Sequence, residues 1–440
     1  MYRDINALIL YATLPEDSIL MQFSGIYADW TEKRDTPEHL KHRVYTQVRR
    51  LLDLSTACGF DRNLWQCYLT HTLISFESSF SLTCELKGAS EGTINTIALH
   101  DFAIFQRLMH FDFTPLEKDL GMDCLSLVCD YKAIPKREQL FNRHVSEQVC
   151  ALSLALDGAR DAREVFDLVT AHFRRFGVGI FGLNRAFRIQ DKAIPGPEGV
   201  EIQAINNMDR VVLSDLIGYE TQKAEIRANV EAFLRGRPFN NMLLYGDAGT
   251  GKSTSVKALL NEYWEEGLRV IELYKHQFSR LSDVISLIKN RQYRFIIFID
   301  DLSFEENEVE YKYLKAVIEG GLETRPDNVM ILATSNRRHL VRETWDDRND
   351  MEHDKDVHRS DTMQEKLSLA ARFGCSVCYS APNHRLFQEI VVSLARRYPE
   401  ITLTDEELLA EANRYELRHG GESGRSAQQF LNQLLGRITP

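Results

Sequence analysis

Gly246-Asp247-Ala248-Gly249-Thr250-Gly251-Lys252-Ser253 is the stretch on which the reading of this chain turns. It satisfies the pattern G-x-x-x-x-G-K-[ST]. The preceding Asn-Met-Leu-Leu-Tyr (241–245) reads as a buried strand, and residues 253–263 are helix-compatible. The physical demand behind that order is specific. Glycines let the loop turn its backbone N–H groups onto phosphate oxygens, and the N-terminus of the following helix adds a favourable field. Lys252 is placed to reach the β- and γ-phosphates and Ser253 Oγ to ligate Mg²⁺, with Thr254 the last residue of the binding set. The plainer alternative, a glycine-rich turn with a surface lysine, does not account for the strand before the loop and the helix after it.

Asp300 follows 48 residues after Lys252, in Phe295-Ile-Ile-Phe-Ile-Asp300-Asp301. The apolar run describes a buried strand, and its paired carboxylates emerge at the C-terminal end, where open α/β sheets bind ligands. Asp300 is expected to hold Mg²⁺ through water. Asp301 is expected to polarise or position an attacking water. Further strands are expected at 268–274, 329–334 and 375–380, with helical patterns between them, so the fold class is α/β with a parallel sheet covered on both faces. Three helical segments after Pro382, at about 384–398, 404–418 and 426–436, form a small all-α lid.

With these motifs in place the chain resembles the AAA+ superfamily of P-loop ATPases over residues 205–440. Its paired Asp300 and Asp301 make it similar to a bacterial ATP-binding family of ill-defined role. The resemblance implies ATP and Mg²⁺ as ligands and an adenine-side segment in Asp215-Leu216-Ile217-Gly218-Tyr-Glu. It makes Ile331-Leu-Ala-Thr-Ser-Asn336 a sensor strand whose Asn336 orients the water or touches the γ-phosphate. Leu369-Ala-Ala-Arg372-Phe-Gly resembles the segment whose arginine acts on a neighbouring subunit's nucleotide, which implies a homo-oligomer. Gly424-Arg425-Ser-Ala-Gln resembles the second sensor, at the start of the last lid helix. Two departures stand out. Asp301 occupies a position where the family has Glu, one methylene longer, so hydrolysis is expected to be slow or the water to sit closer; Glu305 is a possible substitute. The gap from Asn336 to Arg372 carries an inserted charged stretch, 344–365, which makes Arg325 a rival for the trans-acting role. A surface salt bridge is the plain reading of either arginine, and a helix-start surface residue that of Arg425.

Residues 1–200 are expected to be a mostly helical, partner-binding domain, followed by the P-loop core at 201–383 and the lid at 384–440. Segment 164–173 carries a helical apolar stripe, and Ile194-Pro-Gly-Pro-Glu-Gly199 reads as a linker. Gly177-Val-Gly179-Ile-Phe-Gly182 matches a dinucleotide fingerprint, but it follows a helix rather than a strand and reads as a turn or close helix contact.

A net charge of −11, with 22 Lys and Arg against 26 Asp and Glu over residues 1–200, weighs against a dedicated nucleic-acid binder. The reading therefore favours a protein partner, with a nucleic-acid-associated ATP switch, similar to helicase loaders and transposition helper ATPases, as the alternative. Local pairs such as Arg174-Arg175 and Arg337-Arg338 are its support in the sequence. The eight cysteines are scattered, no run approaches a membrane span, and no signal-peptide pattern opens the chain, so a reducing cytoplasm is expected. Cys375-Ser-Val-Cys378 has zinc-ribbon spacing without a second ligand pair, and buried strand cysteines are the preferred reading. The Asp/His cluster in 344–365 could hold a metal, but a solvated loop is the plainer account. Leu273-Tyr-Lys-His-Gln-Phe278 has no glycine and does not support peptide threading; Tyr274 and Phe278 are expected to pack.

Overall fold

The chain changes character at Arg185/Ala186, where contacts divide it into two units. The first comprises Met1–Arg185 with Ala204–Asn207, the second Ala186–Gln203 with Met208–Pro440. The computed structural model describes residues 1–440 apart from 90, 134–141, 193–196, 305–309, 320–325, 337–368 and 439–440. Glu305, Arg325, Arg337, Arg338 and the charged stretch 344–365 therefore lie outside the described residues.

The first unit is helical. Its elements are α1 (Tyr2–Ile5), α2 (Ile19–Thr31), α3 (Pro37–Cys58), α4 (Leu64–Ser75), α5 (Ser79–Lys87) and α6 (Ile94–Met109). They are followed by α7 (Thr114–Leu120), α8 (Cys124–Cys129), α9 (Arg143–Asp157), α10 (Ala162–Phe176) and α11 (Gly179–Leu183). The local logic is clear in α10. Asp161 caps its first turn by accepting the Glu164 N–H at 2.9 Å. Its stripe of Val165, Phe166, Val169 and Phe173 is fully buried. Phe166 meets Phe80 and Phe102 at ring-centroid distances of 5.7 and 6.1 Å, so α5, α6 and α10 share an aromatic core. The Gly177–Gly182 segment is the tight entry to α11: a Cβ on Gly182 would fall 2.6 Å from the Gly177 carbonyl carbon. Its glycines serve close packing, as their place after a helix implied.

The second unit is built on a seven-stranded sheet in the order β2-β1-β4-β5-β6-β3-β7. The strands are β1 (Ala186–Asp191), β2 (Val200–Ala204), β3 (Met242–Gly246), β4 (Leu268–Glu272), β5 (Arg294–Ile299), β6 (Val329–Ser335) and β7 (Cys375–Tyr379). Each of the pairs β1–β4, β4–β5, β5–β6, β6–β3 and β3–β7 is parallel. Every residue of β6 is buried, as are Phe295–Ile299 of β5, the pattern of central strands covered on both faces. Helices α12 (Glu220–Leu234), α13 (Lys252–Tyr263), α14 (Leu281–Ile288) and α15 (Tyr311–Glu319) accompany the sheet. The lid consists of α16 (His384–Ala395), α17 (Asp405–His419) and α18 (Gly424–Ile438) around Phe387, Val391, Leu408, Ala412, Phe430 and Leu431. Each lid helix has a side-chain cap: Asn383 for α16, Thr404 for α17 and Ser423 for α18.

Four expectations are corrected. The boundary falls near residue 185 rather than 200, because β1 pairs parallel with β4 from Ala186↔Val270 to Arg188↔Glu272. The proline-glycine segment then joins two neighbouring strands of one sheet and does not link domains; its residues 197–199 form a single 3₁₀ turn before β2. Cys378 is exposed and Cys375 half-buried, because β7 is the sheet edge and only Val377 and Tyr379 face inward. Among the described residues no cluster of three or more His, Cys, Asp or Glu is arranged to hold a metal. Tyr274 is 42% exposed, whereas Phe278 is buried as expected.

Gly246 closes β3 at φ +126°, and a Cβ there would sit 2.2 Å from the Tyr379 carbonyl oxygen. Gly246→Ala is expected to cost about 2 kcal/mol or more through overpacking and backbone strain. A urea-unfolding midpoint equal to wild type would contradict this account of how β3 and β7 set the loop.

Candidate functional site

Register brings the chemistry to one end of the sheet. Tyr245 of β3 is opposite Ser335 of β6, and Ile299 of β5 is opposite Ala333. The loop after β3, the carboxylates after β5 and Asn336 after β6 thus leave the sheet together. They border a cavity of about 950 Å³, ample for a nucleotide.

The loop 246–251 is held by its neighbours. The Asp247 N–H donates to the Tyr379 carbonyl at 2.9 Å, and Asp247 Oδ2 accepts the Ala381 N–H at 2.6 Å. Gly249 at φ +76° passes beneath the lid, where a Cβ would lie 3.0 Å from Ser423 Oγ and 3.1 Å from Arg425 Cβ. Gly251, at φ +93°, leaves no room for a Cβ beside Leu216. Lys252, Ser253 and Thr254 open α13, and Thr250 Oγ1 steadies the turn by donating to the Asp247 carbonyl at 2.8 Å.

Lys252 lies back along the loop. Its Nζ donates to the carbonyl oxygens of Gly246 and Asp247 at 2.9 and 2.6 Å. Burial holds its ammonium below the usual lysine range, opposed by Asp247, Asp301 and Asp300 and reinforced by Arg425. Both acceptors are neutral carbonyls, so an anionic phosphate is the better partner.

Asp300 and Asp301 are organised by one hydroxyl. Thr334 Oγ1 donates to Asp300 Oδ1 at 2.6 Å and accepts the Asp301 N–H at 3.0 Å. Ser253 Oγ donates to the same Asp300 oxygen at 2.6 Å. Asp301 takes φ +51°, a left-handed conformation that Asp tolerates better than most residues. Its Oδ1 accepts the Asn336 side-chain N–H at 2.9 Å. Asn336 therefore orients the Asp301 carboxylate as well as facing the cavity. The Ser253 hydroxyl and Asp300 carboxylate are hard oxygen donors meeting at one point, a set that suits Mg²⁺.

The base side of the cavity is apolar, with Leu216 and Ile217 on the core and Ile390 and Leu394 on α16. Gly218, expected among the ligand contacts, does not line the cavity; at φ +78° it lets the chain pass beside Leu386, which a Cβ would approach to 2.7 Å. Gly246, Asp247 and Ala248 likewise stand behind the lining and shape the loop. Arg425 lines the cavity from the start of α18, and its N–H donates to the Gly249 carbonyl at 3.3 Å. Arg372 does not line it; Arg372 lies in the turn before β7, half-buried, its N–H donating to the Leu369 carbonyl at 3.2 Å.

Among the cavity residues that the sequence reading did not assign, Thr334 and Arg397 have a visible role. Thr334 precedes Asn336 by two positions, so the period-2 rule for strands places it on the same face, a usable signal. Arg397, just beyond α16, donates to the carbonyl and Oδ1 of Asp215, both at 3.0 Å, tying lid to base-side segment. No local pattern marks it.

Fold and site together define a P-loop nucleotide-binding unit of the AAA+ class, with a helical unit before it and a helical lid after. The chain belongs to the family described as "Protein of unknown function (DUF815)", which matches residues 184–438. Shorter stretches are similar to curated proteins. One is the replication factor C large subunit of Staphylothermus marinus, 31% identical over 87 residues, 20% of each chain. Another is the Holliday junction branch migration complex subunit RuvB of a Synechococcus strain, 32% identical over 109 residues, 24% of this chain and 30% of that protein. The chain thus spans under a third of the length of these relatives. Among solved structures, the RuvB Holliday junction branch migration motor of Thermotoga maritima aligns with TM-score 0.32 and 14% identity, over 51% of this chain and 72% of that one.

Lys252→Ala is expected to abolish ATP binding, measured by calorimetric titration, because the phosphates lose their main cation. In wild type the affinity should fall as pH rises through the depressed Lys252 pKa, that is, below the 10.5 of an ordinary lysine. Tight binding by the alanine variant would remove the assignment.

Proposed function

We propose that this protein binds MgATP in the cavity between sheet and lid and hydrolyses it, using the cycle to remodel or regulate a protein partner held by residues 1–200. The observation that carries the reading is the convergence of Lys252, Ser253, Asp300, Asp301, Asn336 and Arg425 on one cavity. Bound Mg²⁺ would neutralise charge on the β- and γ-oxygens, with Ser253 and Asp300 as its protein ligands. Asp301, aimed by Asn336 and by Thr334 through its backbone N–H, accepts the proton of the attacking water. Lys252 and Arg425 stabilise charge on the transferred phosphoryl group. Asp301 is shorter than Glu and fixed at both ends, which supports slow turnover and a long-lived ATP state.

Arg372 supports a homo-oligomer. It stands outside its own chain's cavity, as an arginine serving a neighbouring copy must. Movement would pass from nucleotide to lid through Gly249, Arg425 and the Arg397–Asp215 pair. A cytoplasmic location accords with the free thiols, and no described helix is long and apolar enough to cross a membrane.

A nucleic-acid partner is the second reading, favoured by the similarity to a replication factor and a Holliday junction branch migration subunit. Phosphate contacts would make such binding fall steeply with salt. A gel shift without nucleotide-dependent, salt-sensitive retardation eliminates it.

Asp301→Asn should bind ATP normally and lose hydrolysis by a factor of about 10² or more; unchanged turnover would mean that another base acts. Arg372→Ala should lower turnover without weakening binding, and wild-type specific activity should rise with protein concentration. Flat activity in a verified monomer would defeat the trans-acting role.

A further inference from the structure

Tyr219 stands where local chemistry asks for another residue. It holds the position before α12 in a left-handed conformation, φ +62° and ψ +31°, directly after Gly218 at φ +78°. Glycine or asparagine takes that conformation with least strain, and Ser, Thr, Asp or Asn would cap the helix there. Tyrosine does neither, and its side chain makes no capping bond. A bulky residue kept at positive φ marks strain that the surrounding structure imposes, and such strain gathers at ligand clamps.

The surroundings show how the ring is held. Tyr219 OH donates to the Ser380 carbonyl at 2.9 Å, and its ring packs on Tyr379 with centroids 5.3 Å and planes 32° apart. Tyr379 is itself fully buried and shares a hydrogen bond with Ser255 Oγ of α13 at 3.1 Å. The Tyr219 ring is therefore fixed at its tip and supported from one side before any ligand arrives. It is only half-buried, and it lines the nucleotide cavity together with Leu216 and Ile217. Its place is the base side. Gly218 lies against Leu386, and Leu386, Ile390 and Leu394 recur every four residues along one face of α16. The last two line the same cavity.

We propose that Tyr219 is the stacking platform for the base of the bound nucleotide, an inference that rests on the MgATP reading and adds a contact to it. The aromatic face meets the flat face of the base, while Lys252 takes the phosphates. Stacking uses the π-face that every base has and leaves its edge unread, so Tyr219 supplies affinity rather than the choice of base. Because Ser380 and Tyr379 already fix the side chain, little rotamer freedom is lost on binding. The left-handed backbone is the strain retained to aim the ring into the cavity.

The test titrates the full-length protein calorimetrically with MgATP and with magnesium tripolyphosphate, which has the phosphate chain without the base. Tyr219→Gly and Tyr219→Asn remove the ring yet suit the left-handed backbone. Both should weaken ATP binding about tenfold or more and leave tripolyphosphate binding unchanged. Tyr219→Phe keeps the ring and should bind ATP like wild type. In the wild-type protein, irradiation with 8-azido-ATP should label Tyr219, a readout that requires no variant to fold. The proposal is overturned if the ring-less variants bind ATP like wild type, if ATP and tripolyphosphate binding fall equally, or if the label excludes Tyr219. Wild-type protein that binds neither ligand would remove the nucleotide reading itself, and this contact with it.

Discussion

The hydrogen bonds from Lys252 Nζ to the Gly246 and Asp247 carbonyls are the interaction on which the site depends. They fold the only cation of the loop back onto its own backbone, within a wall of three carboxylates. The loop can take this path because Gly246 has no Cβ to strike the Tyr379 carbonyl. Strand β7 must therefore lie beside β3 before the cradle exists, although the two are separated by more than a hundred residues of sequence. The cradle is a property of the sheet as much as of the motif.

The lid is bound to the same constraint. Gly249 leaves space for Ser423 and Arg425, and Gly218 for Leu386. Asp247 reaches the Ala381 N–H at the exit from β7, two residues before the cap of α16. The Arg397–Asp215 pair is partly exposed and worth little as stability. Its value is geometric: it ties the end of α16 to the segment on which the base side is built. Backbone contacts and one ion pair thus connect loop, base side and lid.

Much of this was legible in the sequence because the relevant chemistry is local. The P-loop, the apolar run into Asp300 and Asp301, and the three capped lid helices each carry their signal within a dozen residues. Strands β3 to β7 were found because they are short apolar runs. β1 was not: Ala-Phe-Arg-Ile-Gln-Asp alternates like an edge strand and follows a long helical stretch, and only pairing with β4 defines it. Cys378 was misread because an edge strand and a central strand look alike in five residues. Thr334 lay within a quoted motif, yet its link between Asp300 and Asp301 depends on β5 and β6 being neighbours. The Arg397–Asp215 pair is a meeting of distant segments, invisible to any window.

Under the proposed function, Lys252 is the residue that changes partner when nucleotide arrives. A structure determined with Mg²⁺ and a non-hydrolysable ATP analogue tests this most directly. The expected result is Lys252 Nζ on phosphate oxygens, released from the Gly246 and Asp247 carbonyls, with the metal next to Ser253 Oγ and Asp300. Nucleotide bound elsewhere, or bound here with Nζ still on those carbonyls, would contradict it.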